Sequence, residues 1–191
     1  MPLIAGRKAL SDDAPMSIDL IIRPANAQDA PSLAAIYRPY VLSGTETLEI
    51  TPPEAPVFAE KISACAQKGW PFLVACTGDG VLGYAYATQF RDRPAYRYAC
   101  ENSIYLAQDA HGKGVGRTLL TALIAAAEQA GFRQMIAVIS GIGPASSALH
   151  AALGFEVVGR MHAVGWKCGR WLDTLYMQRA LGPGDDTPPS T

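Results

Sequence analysis

A glycine-rich segment between a strand-like and a helix-like stretch constrains the fold of this chain more than any other feature. Residues 108–116 read Gln-Asp-Ala-His-Gly-Lys-Gly-Val-Gly, with glycine at three alternate positions. Before it, residues 99–106 mix β-branched, aromatic and apolar side chains, which predicts a strand. After it, apolar residues recur at helical spacing, at Leu119, Leu120, Leu123, Ile124 and Ala127. This order presents backbone N–H groups at the positive end of a helix dipole, which suits phosphate binding.

Two common nucleotide-binding loops do not match this spacing. A Walker loop has four residues between its glycines and ends in Gly-Lys-Ser/Thr, whereas three residues separate Gly112 from Gly116, and Arg117 follows. A dinucleotide fingerprint has Gly-x-Gly-x-x-Gly after an N-terminal strand, but here the third glycine comes one residue early and the motif lies past mid-chain. From the loop alone, a glycine-rich turn without a ligand remains an alternative.

Length and composition predict one globular domain. The chain has 191 residues, of which 49% are hydrophobic and 17% charged. A net charge of -1 without a long basic run argues against nucleic acid or an anionic membrane surface as the main partner. No apolar run approaches the roughly 20 residues that cross a bilayer. We expect a flexible extension over 1–17, the domain over 18–181, and a disordered Gly- and Pro-rich tail over 182–191.

The cysteines predict neither a metal site nor a disulfide framework. They form no Cys-x-x-Cys pair and have no metal-ligand spacing with the three histidines. Scattered reduced thiols are typical of a cytoplasmic protein. The four are Cys65, Cys76, Cys100 and Cys168.

Hydrophobic periodicity predicts alternating strands and helices in an α/β fold, a mixed sheet with helices on both faces. The predicted helices span 27–42, where Pro39 should bend or end the helix, then 57–68, a segment ending near 130, and 145–153. The predicted strands span 18–23, 72–76, 81–88, 99–106, 135–139, 155–160 and 171–179.

The glycine loop resembles the acyl-CoA pyrophosphate loop of the GNAT acetyltransferases, whose pattern is Gln/Arg-x-x-Gly-x-Gly/Ala. From Ile22 to Arg179 the chain resembles the phosphinothricin and methionine sulfoximine N-acetyltransferase branch of that superfamily. The landmarks lie in the expected order: Ile22-Arg23-Pro24-Ala25, Gly83-Tyr84-Ala85, Glu101-x-Ser103-Ile104-Tyr105-Leu106, the loop, Leu149-His150-x-x-Leu153-Gly154-Phe155, and Gly165-x-Lys167-x-Gly169-x-Trp171-x-Asp173.

The resemblance implies the GNAT acyl-CoA N-acyltransferase fold, with a mostly antiparallel central sheet. It implies acetyl-CoA as co-substrate and an amino-acid-like acceptor amine of the phosphinothricin, methionine sulfoximine or methionine sulfone type, hence a resistance function. It also implies a homodimer. Another small amine or a protein amino group is the alternative acceptor. A degenerate acyl-CoA sensor would be expected to lack Glu101 or the loop, and both are present.

Glu101 is the expected general base, because a neutral-pH amine must lose a proton before it attacks a thioester. A carboxylate within an apolar strand is costly unless it has a partner or a cavity, and a structural ion pair is the alternative reading. Glu101 also matches the catalytic glutamate of the branch. By alternation, Ser103 and Tyr105 share its face of the strand.

The resemblance assigns the cofactor contacts. The backbone of Ile104, Tyr105 and Leu106 would pair with the pantetheine arm, and a backbone N–H here could stabilise the oxyanion. Gly143 stands where the branch has a cofactor-binding Asn, and Ser146 is expected to supply a contact in its place. The pyrophosphate would bind at Gly112, Lys113, Gly114, Val115, Gly116 and Arg117.

The remaining site residues also follow from the resemblance. His150 is expected to contact the substrate or the cofactor or to assist proton transfer, and a histidine that only packs in the core is the alternative. Arg91, Arg93 and Tyr96, together with Ser103, would bind the acidic oxygens of the acceptor, since a guanidinium suits paired oxygens. The alternative is a hairpin with two solvated arginines. Leu48 stands where the branch has an aromatic residue near its first substrate loop, a departure that bears on phosphinothricin as the acceptor and not on the reaction type.

Overall fold

A computed structural model describes residues 19–141 and 143–189, and this part of the chain forms seven strands and four helices. The helices are α1 (Ala30–Leu42), α2 (Ala55–Gln67), α3 (Val115–Gln129) and α4 (Pro144–Ala151). The strands are β1 (Ile21–Pro24), β2 (Phe72–Thr77), β3 (Gly80–Gln89), β4 (Ala99–Leu106), β5 (Gln134–Ser140), β6 (Glu156–Lys167) and β7 (Arg170–Ala180). The predicted N-terminal extension lies outside the described residues.

The strands form one mixed sheet in the order β1-β2-β3-β4-β5-β7-β6. Within the described ranges, β4 and β5 are parallel, and every other neighbouring pair is antiparallel. The parallel pair is possible because α3 carries the chain back between the two strands. This arrangement confirms the predicted mostly antiparallel sheet.

Each face of the sheet carries its own apolar core. On one face, Leu33 of α1 and Phe58 of α2 pack with Tyr84 of β3. On the other face, Leu120 of α3 packs in a cluster with Ala85. Tyr84 and Ala85 are consecutive in β3, so their side chains point to opposite faces, and both are 0% exposed. Burying a leucine such as Leu33 or Leu120 stabilises the fold by about 1.5–3 kcal/mol.

The first helix begins three residues later than predicted, because a capped 3-10 turn precedes it. Asn26 accepts a hydrogen bond from the Gln28 N–H at 2.9 Å, and Asp29 accepts one from the Asn26 N–H at 2.9 Å. Arg23 at the end of β1 binds both carboxylate oxygens of Asp29, at 2.7 and 2.8 Å. The turn is therefore tied to the sheet, and α1 continues past Pro39 to Leu42.

The last two strands are longer than predicted because a bulge interrupts their alternation. The register of β6 against β7 shifts between Met161 and Gly165, and Ala163 within the bulge has φ of 53°. The Ala163 N–H donates to Asp173 Oδ1 at 2.9 Å. This bond, followed by the hydrogen bond from Arg160, lowers the pKa of Asp173 to about 2. The bulge hides the pairing from a search for period-two patterns.

Residues 182–189 form turns that continue from β7. Arg133 Nη2 donates to the carbonyl and hydroxyl oxygens of Thr187, at 2.7 and 3.0 Å. The predicted disordered tail did not anticipate these contacts, because they depend on a guanidinium some 50 residues earlier in the chain. Residues 190–191 lie outside the described part.

The junction of β4 and β5 opens along its length. The two strands pair at four positions only, from Ala99 with Gln134 to Asn102 with Ala137. Beyond that point β4 pairs with β3 alone up to Leu106, and β5 pairs with β7 alone up to Ser140. A wedge-shaped gap therefore separates the C-terminal halves of β4 and β5.

Candidate active site

A cavity of about 560 Å³ fills this gap. The end of α1, residues 46–48, the glycine loop and the first turn of α4 complete its lining. The cavity brings together most of the residues that the sequence predicts for the site. They are Glu101, Ser103, Ile104, Tyr105, Leu106, Gly112, Gly114, Gly116, Arg117, Gly143, Ser146 and His150.

Two predicted members of the phosphate loop do not line the cavity. Val115 is 1% exposed, and its side chain packs in the core beneath α3. Its backbone remains at the helix start, so any ligand contact would come from the main chain. Lys113 is exposed to solvent.

Of the four predicted acceptor-binding residues, Ser103 lines the cavity, whereas Arg91, Arg93 and Tyr96 lie outside its lining. Arg91 is exposed and stacks on the Phe90 ring at 4.2 Å, although its charge reaches Glu101. Arg93 is exposed and precedes a short 3-10 turn that contains Tyr96. The Tyr96 ring is 6.0 Å from Phe90. The Gln89 side chain donates to the Arg91 carbonyl at 2.5 Å and fixes the start of this loop.

Main-chain groups of β4 face the gap at alternate residues. The Ala107 N–H donates to the Leu82 carbonyl of the neighbouring strand at 2.8 Å. In an antiparallel pair the direction of these groups alternates, so Tyr105 faces β3 while Ile104 and Leu106 face the gap. An extended ligand in the gap would therefore find main-chain partners at Ile104 and Leu106, and not at Tyr105.

The side chain of Tyr40 already occupies the main-chain groups of Leu106. Its hydroxyl donates to the Leu106 carbonyl at 2.7 Å, accepts from the Leu106 N–H at 3.4 Å, and lies 3.0 Å from His111 Nε2. The phenol thus links α1, β4 and the glycine loop. In the sequence Tyr40 is an ordinary residue of a predicted helix, and no local pattern indicates this contact.

The glycine loop has the backbone geometry that anion binding requires. Gly112 and Gly114 have φ of +72° and +80°, and no atom lies within 4 Å of the place where a Cβ would be. Gly114 precedes the first residue of α3, whose first backbone N–H groups lack partners within the helix. At Gly116 an added Cβ would lie 3.2 Å from Leu106 Cδ1, so glycine permits close packing of α3 on β4.

Glu101 lies near the base of the gap. It is half-buried and sits opposite Thr88 of β3 and Ile136 of β5. Burial raises the pKa of Glu101, because a charged carboxylate loses hydration, and the positive charge of Arg91 partly opposes this effect. A carboxylate with a raised pKa is a better proton acceptor than a fully solvated one.

His150 is 2% exposed and has both ring nitrogens next to protein oxygens. Nδ1 lies 2.8 Å from the Ser146 carbonyl oxygen, and Nε2 lies 3.0 Å from Asn102 Oδ1. Burial lowers the pKa of His150, and the Ser146 carbonyl partly offsets this change. Each ring nitrogen therefore faces a protein oxygen within hydrogen-bond distance.

A buried lysine organises the side of the cavity formed by residues 46–48. Lys167, at the end of β6, is 6% exposed and donates to the carbonyls of Tyr40 and Thr47, at 2.9 and 2.8 Å. The Thr47 hydroxyl lies 2.6 Å from the Tyr37 hydroxyl. Together these bonds hold Glu46, Thr47 and Leu48 at the cavity. Residues 45–50 have no periodicity, so the sequence could not place them.

Other features bear on the class of site. Over residues 19–141 and 143–189, no group of three or more His, Cys, Asp and Glu side chains could hold a metal ion. All four cysteines are free thiols. Within the same ranges, no helix is long and apolar enough to cross a membrane.

Several known proteins are similar to this chain in sequence and fold. Residues 22–176 match the family described as acetyltransferase (GNAT) domain. A phosphinothricin N-acetyltransferase of Alcaligenes faecalis is 46% identical over 169 residues, 88% of this chain and 86% of that protein. An L-methionine sulfoximine/L-methionine sulfone acetyltransferase of Pseudomonas paraeruginosa is 40% identical over 168 residues, 87% of this chain and 98% of that protein.

A solved structure of a GNAT acetyltransferase also resembles the fold of this chain. A GNAT superfamily phosphinothricin acetyltransferase from Sinorhizobium meliloti, in complex with AcCoA, is 50% identical, with a TM-score of 0.87 over 90% of this chain and 93% of that chain. The open β4–β5 junction and the glycine loop at its mouth define an acyl-CoA-dependent transferase. The chain belongs to the GNAT acetyltransferase family and is an N-acetyltransferase that uses acetyl-CoA as co-substrate.

Proposed function

We propose that the chain acetylates the amino group of a small α-amino acid of the phosphinothricin, methionine sulfoximine or methionine sulfone type, by direct attack with Glu101 as general base. The observation that carries the proposal is the position of Glu101. Its half-buried carboxylate lies in the same cavity as the glycine loop, with the open strand edge of β4 between them. The named relatives support this acceptor class.

The co-substrate fits the cavity in one direction. Gly112 to Arg117 would hold the pyrophosphate through the free N–H groups at the start of α3. The pantetheine arm would run along β4, where Ile104 and Leu106 direct main-chain groups into the gap. This direction leaves the acyl end near Glu101.

Glu101 would take the proton from the acceptor ammonium and leave the amine free to attack the thioester carbonyl carbon. The gap-facing N–H of Ile104 would stabilise the oxyanion of the tetrahedral intermediate. The nitrogen of the intermediate then gives up its second proton to the departing sulfur, the C–S bond breaks, and CoA leaves as a thiol while the acetyl group stays on nitrogen. Arg91 has a second expected role, because its guanidinium could bind the oxidised phosphorus or sulfur group beside Glu101.

A panel of amines assayed for CoA release tests the acceptor class. Methionine sulfone, methionine sulfoximine and phosphinothricin should each show kcat/KM at least tenfold above that of methionine, which has the same chain length as the first two but no oxidised sulfur. A peptide with a free N-terminal amine represents the alternative acceptor. A higher kcat/KM for the peptide would replace this proposal with protein acetylation.

We also propose a cytoplasmic homodimer with β6 at the interface. β6 is one of the two edge strands of the described sheet and carries several exposed apolar side chains, of which Trp166 contacts the exposed Trp171 of β7. Such an edge invites pairing unless a partner covers it. The cytoplasm supplies acetyl-CoA and keeps thiols reduced. The exposed apolar residues of β6 and β7 are Val157, Val158, Met161, Val164, Trp166 and Trp171.

Sedimentation equilibrium tests the interface. The wild-type chain should sediment with twice the monomer mass, and the Val158→Glu/Trp166→Glu variant with the monomer mass. Val57→Glu, on the exposed surface of α2, should leave the dimer intact. A monomeric wild type at micromolar concentration would contradict the dimer.

A further inference from the structure

The His150 ring lies between two hydrogen-bond acceptors. The Asn102 amide orientation is fixed by its own bond, since Asn102 Nδ2 donates to the Ile136 carbonyl at 3.2 Å. The reverse orientation would bring the amide oxygen against that carbonyl oxygen. Asn102 Oδ1 is therefore the atom 3.0 Å from His150 Nε2, and the Ser146 carbonyl oxygen lies 2.8 Å from Nδ1.

Burial lowers the pKa of His150 and so favours the neutral ring, whose single N–H donates one of these two bonds. Each nitrogen nevertheless faces a protein oxygen and not a substrate. Asn102, which is 6% exposed, belongs to β4, whereas Ser146 and His150 belong to α4, so the ring joins the two elements. The Phe155 ring packs edge-on against His150 with centroids 4.9 Å apart. The ring is enclosed by apolar and neutral groups.

The groups that face the His150 ring from β4 are uncharged. Asn102 is the neutral residue that β4 presents to the ring, and the adjacent Glu101 side chain points to the opposite face of the strand. The described residues include no carboxylate in an ion pair with His150. Burial and the Ser146 carbonyl account for the change in the pKa of His150.

The element that His150 holds belongs to the co-substrate side of the cavity. Gly143, Pro144, Ala145 and Ser146 form the start of α4 and line the gap opposite the open edge of β4. Within the described residues, α4 makes few contacts with the sheet other than with β5. A side chain that ties α4 to β4 across the gap therefore sets the width of the co-substrate site.

We propose that His150 and Asn102 are positioning residues that together hold the first turn of α4 at the correct distance from β4, and that the His150 ring takes no part in proton transfer. The proposal rests on the proposed function for the location of acetyl-CoA in the gap. It departs from the expectation that His150 is catalytic.

Steady-state kinetics of His150→Gln separates the two roles. The glutamine amide keeps a donor toward Asn102 and has no titratable proton, so a positioning role predicts kcat within about threefold of wild type. His150→Ala removes both contacts and should raise KM for acetyl-CoA about tenfold or more, with a smaller change in KM for the amine. A loss in kcat of about 100-fold or more in His150→Gln, with unchanged KM for acetyl-CoA, would overturn the proposal.

A spectroscopic measurement on the apo protein tests the Asn102 contact without reference to activity. The ¹⁵N resonances of the three histidines can be assigned with His111→Gln and His162→Gln variants. Asn102→Asp keeps the acceptor and adds a negative charge, so the titration midpoint of His150 should rise by about one to two pH units. Asn102→Leu removes the acceptor and should lower it.

The outcomes distinguish this proposal from the proposed function. If neither Asn102 variant moves the His150 midpoint while both remain folded by circular dichroism, the contact is absent and the positioning role is wrong. If the midpoint moves as expected but Glu101→Gln is fully active, the positioning role stands and the assignment of the base fails.

Discussion

The Tyr40 hydroxyl lies 2.7 Å from the carbonyl oxygen of Leu106, in the part of β4 that has no partner on the β5 side. It satisfies main-chain groups that would otherwise be unpaired in a half-buried position. The same groups are those that an extended co-substrate would use. A ligand that pairs with Leu106 must first displace the phenol.

Tyr40→Phe should therefore strengthen acetyl-CoA binding. Breaking one such hydrogen bond costs about 0.5–1.5 kcal/mol, so Kd measured by calorimetry should fall about two- to tenfold. Tyr37→Phe is the matched control, because the Tyr37 hydroxyl contacts Thr47 and not the open strand. Weaker binding in Tyr40→Phe would mean that the hydroxyl contacts the co-substrate directly.

Glu101→Gln should lower kcat by about 10²- to 10⁴-fold, the usual contribution of general-base catalysis. Acetyl-CoA affinity should stay nearly unchanged, and the loss should shrink at high pH, where free amine is already present. Assays of CoA release between about pH 6 and pH 10 would give kcat, its pH dependence and KM for acetyl-CoA. Turnover like that of wild type at neutral pH would remove Glu101 from the reaction.

Arg91→Ala should shift the acid limb of the activity profile to higher pH. Arg91 opposes the effect of burial on Glu101, so its removal raises the pKa of that carboxyl further, and the active carboxylate forms only at higher pH. For oxidised substrates kcat/KM should also fall about 10- to 100-fold, as for a lost charged hydrogen bond. Arg97→Ala is the control, because that guanidinium stacks on Tyr98.

Gly114→Ala should raise KM for acetyl-CoA about tenfold or more and leave KM for the amine nearly unchanged. Gly114 has φ of +80°, which costs alanine roughly 1–2 kcal/mol. Gly131→Ala, with φ of +89° and similarly open space, carries the same strain at the other end of α3. Equal changes in KM for the two variants would show that the loop acts only through stability.

Lys167→Met should destabilise the fold by about 2–3 kcal/mol, because the variant leaves the Tyr40 and Thr47 carbonyls without their donor. Urea unfolding measures this loss. KM for the amine should rise as well, since residues 46–48 line the cavity. Arg170→Met, an exposed change at the same hairpin, should alter neither quantity.

The local sequence pattern was sufficient to predict part of the site. The glycine loop and the position of Glu101 on an apolar strand depend on neighbours in sequence, and the structure places them at one cavity. The alternation of β4 also predicts that Glu101 and Ser103 share a face. Roles for these residues stay predictions until the variants are measured.

Other contacts could not be derived because they join distant parts of the chain. Tyr40 and Leu106 are 66 residues apart, Asn102 and His150 are 48 apart, and Lys167 reaches a carbonyl 120 residues away. Each is an ordinary helix or strand residue by local composition. Only the packing of α1, α4 and the β6–β7 hairpin around one gap makes them part of the site.

The junction between β4 and β5, paired at four positions, makes the stability of the folded chain depend on its co-substrate. Two half-sheets meet there with few bonds between them, and a bound co-substrate would add the missing ones. At a free concentration 100 times Kd, such a ligand stabilises the folded state by about 2.7 kcal/mol. The folded chain would then open less often when acetyl-CoA is plentiful and more often when it is scarce.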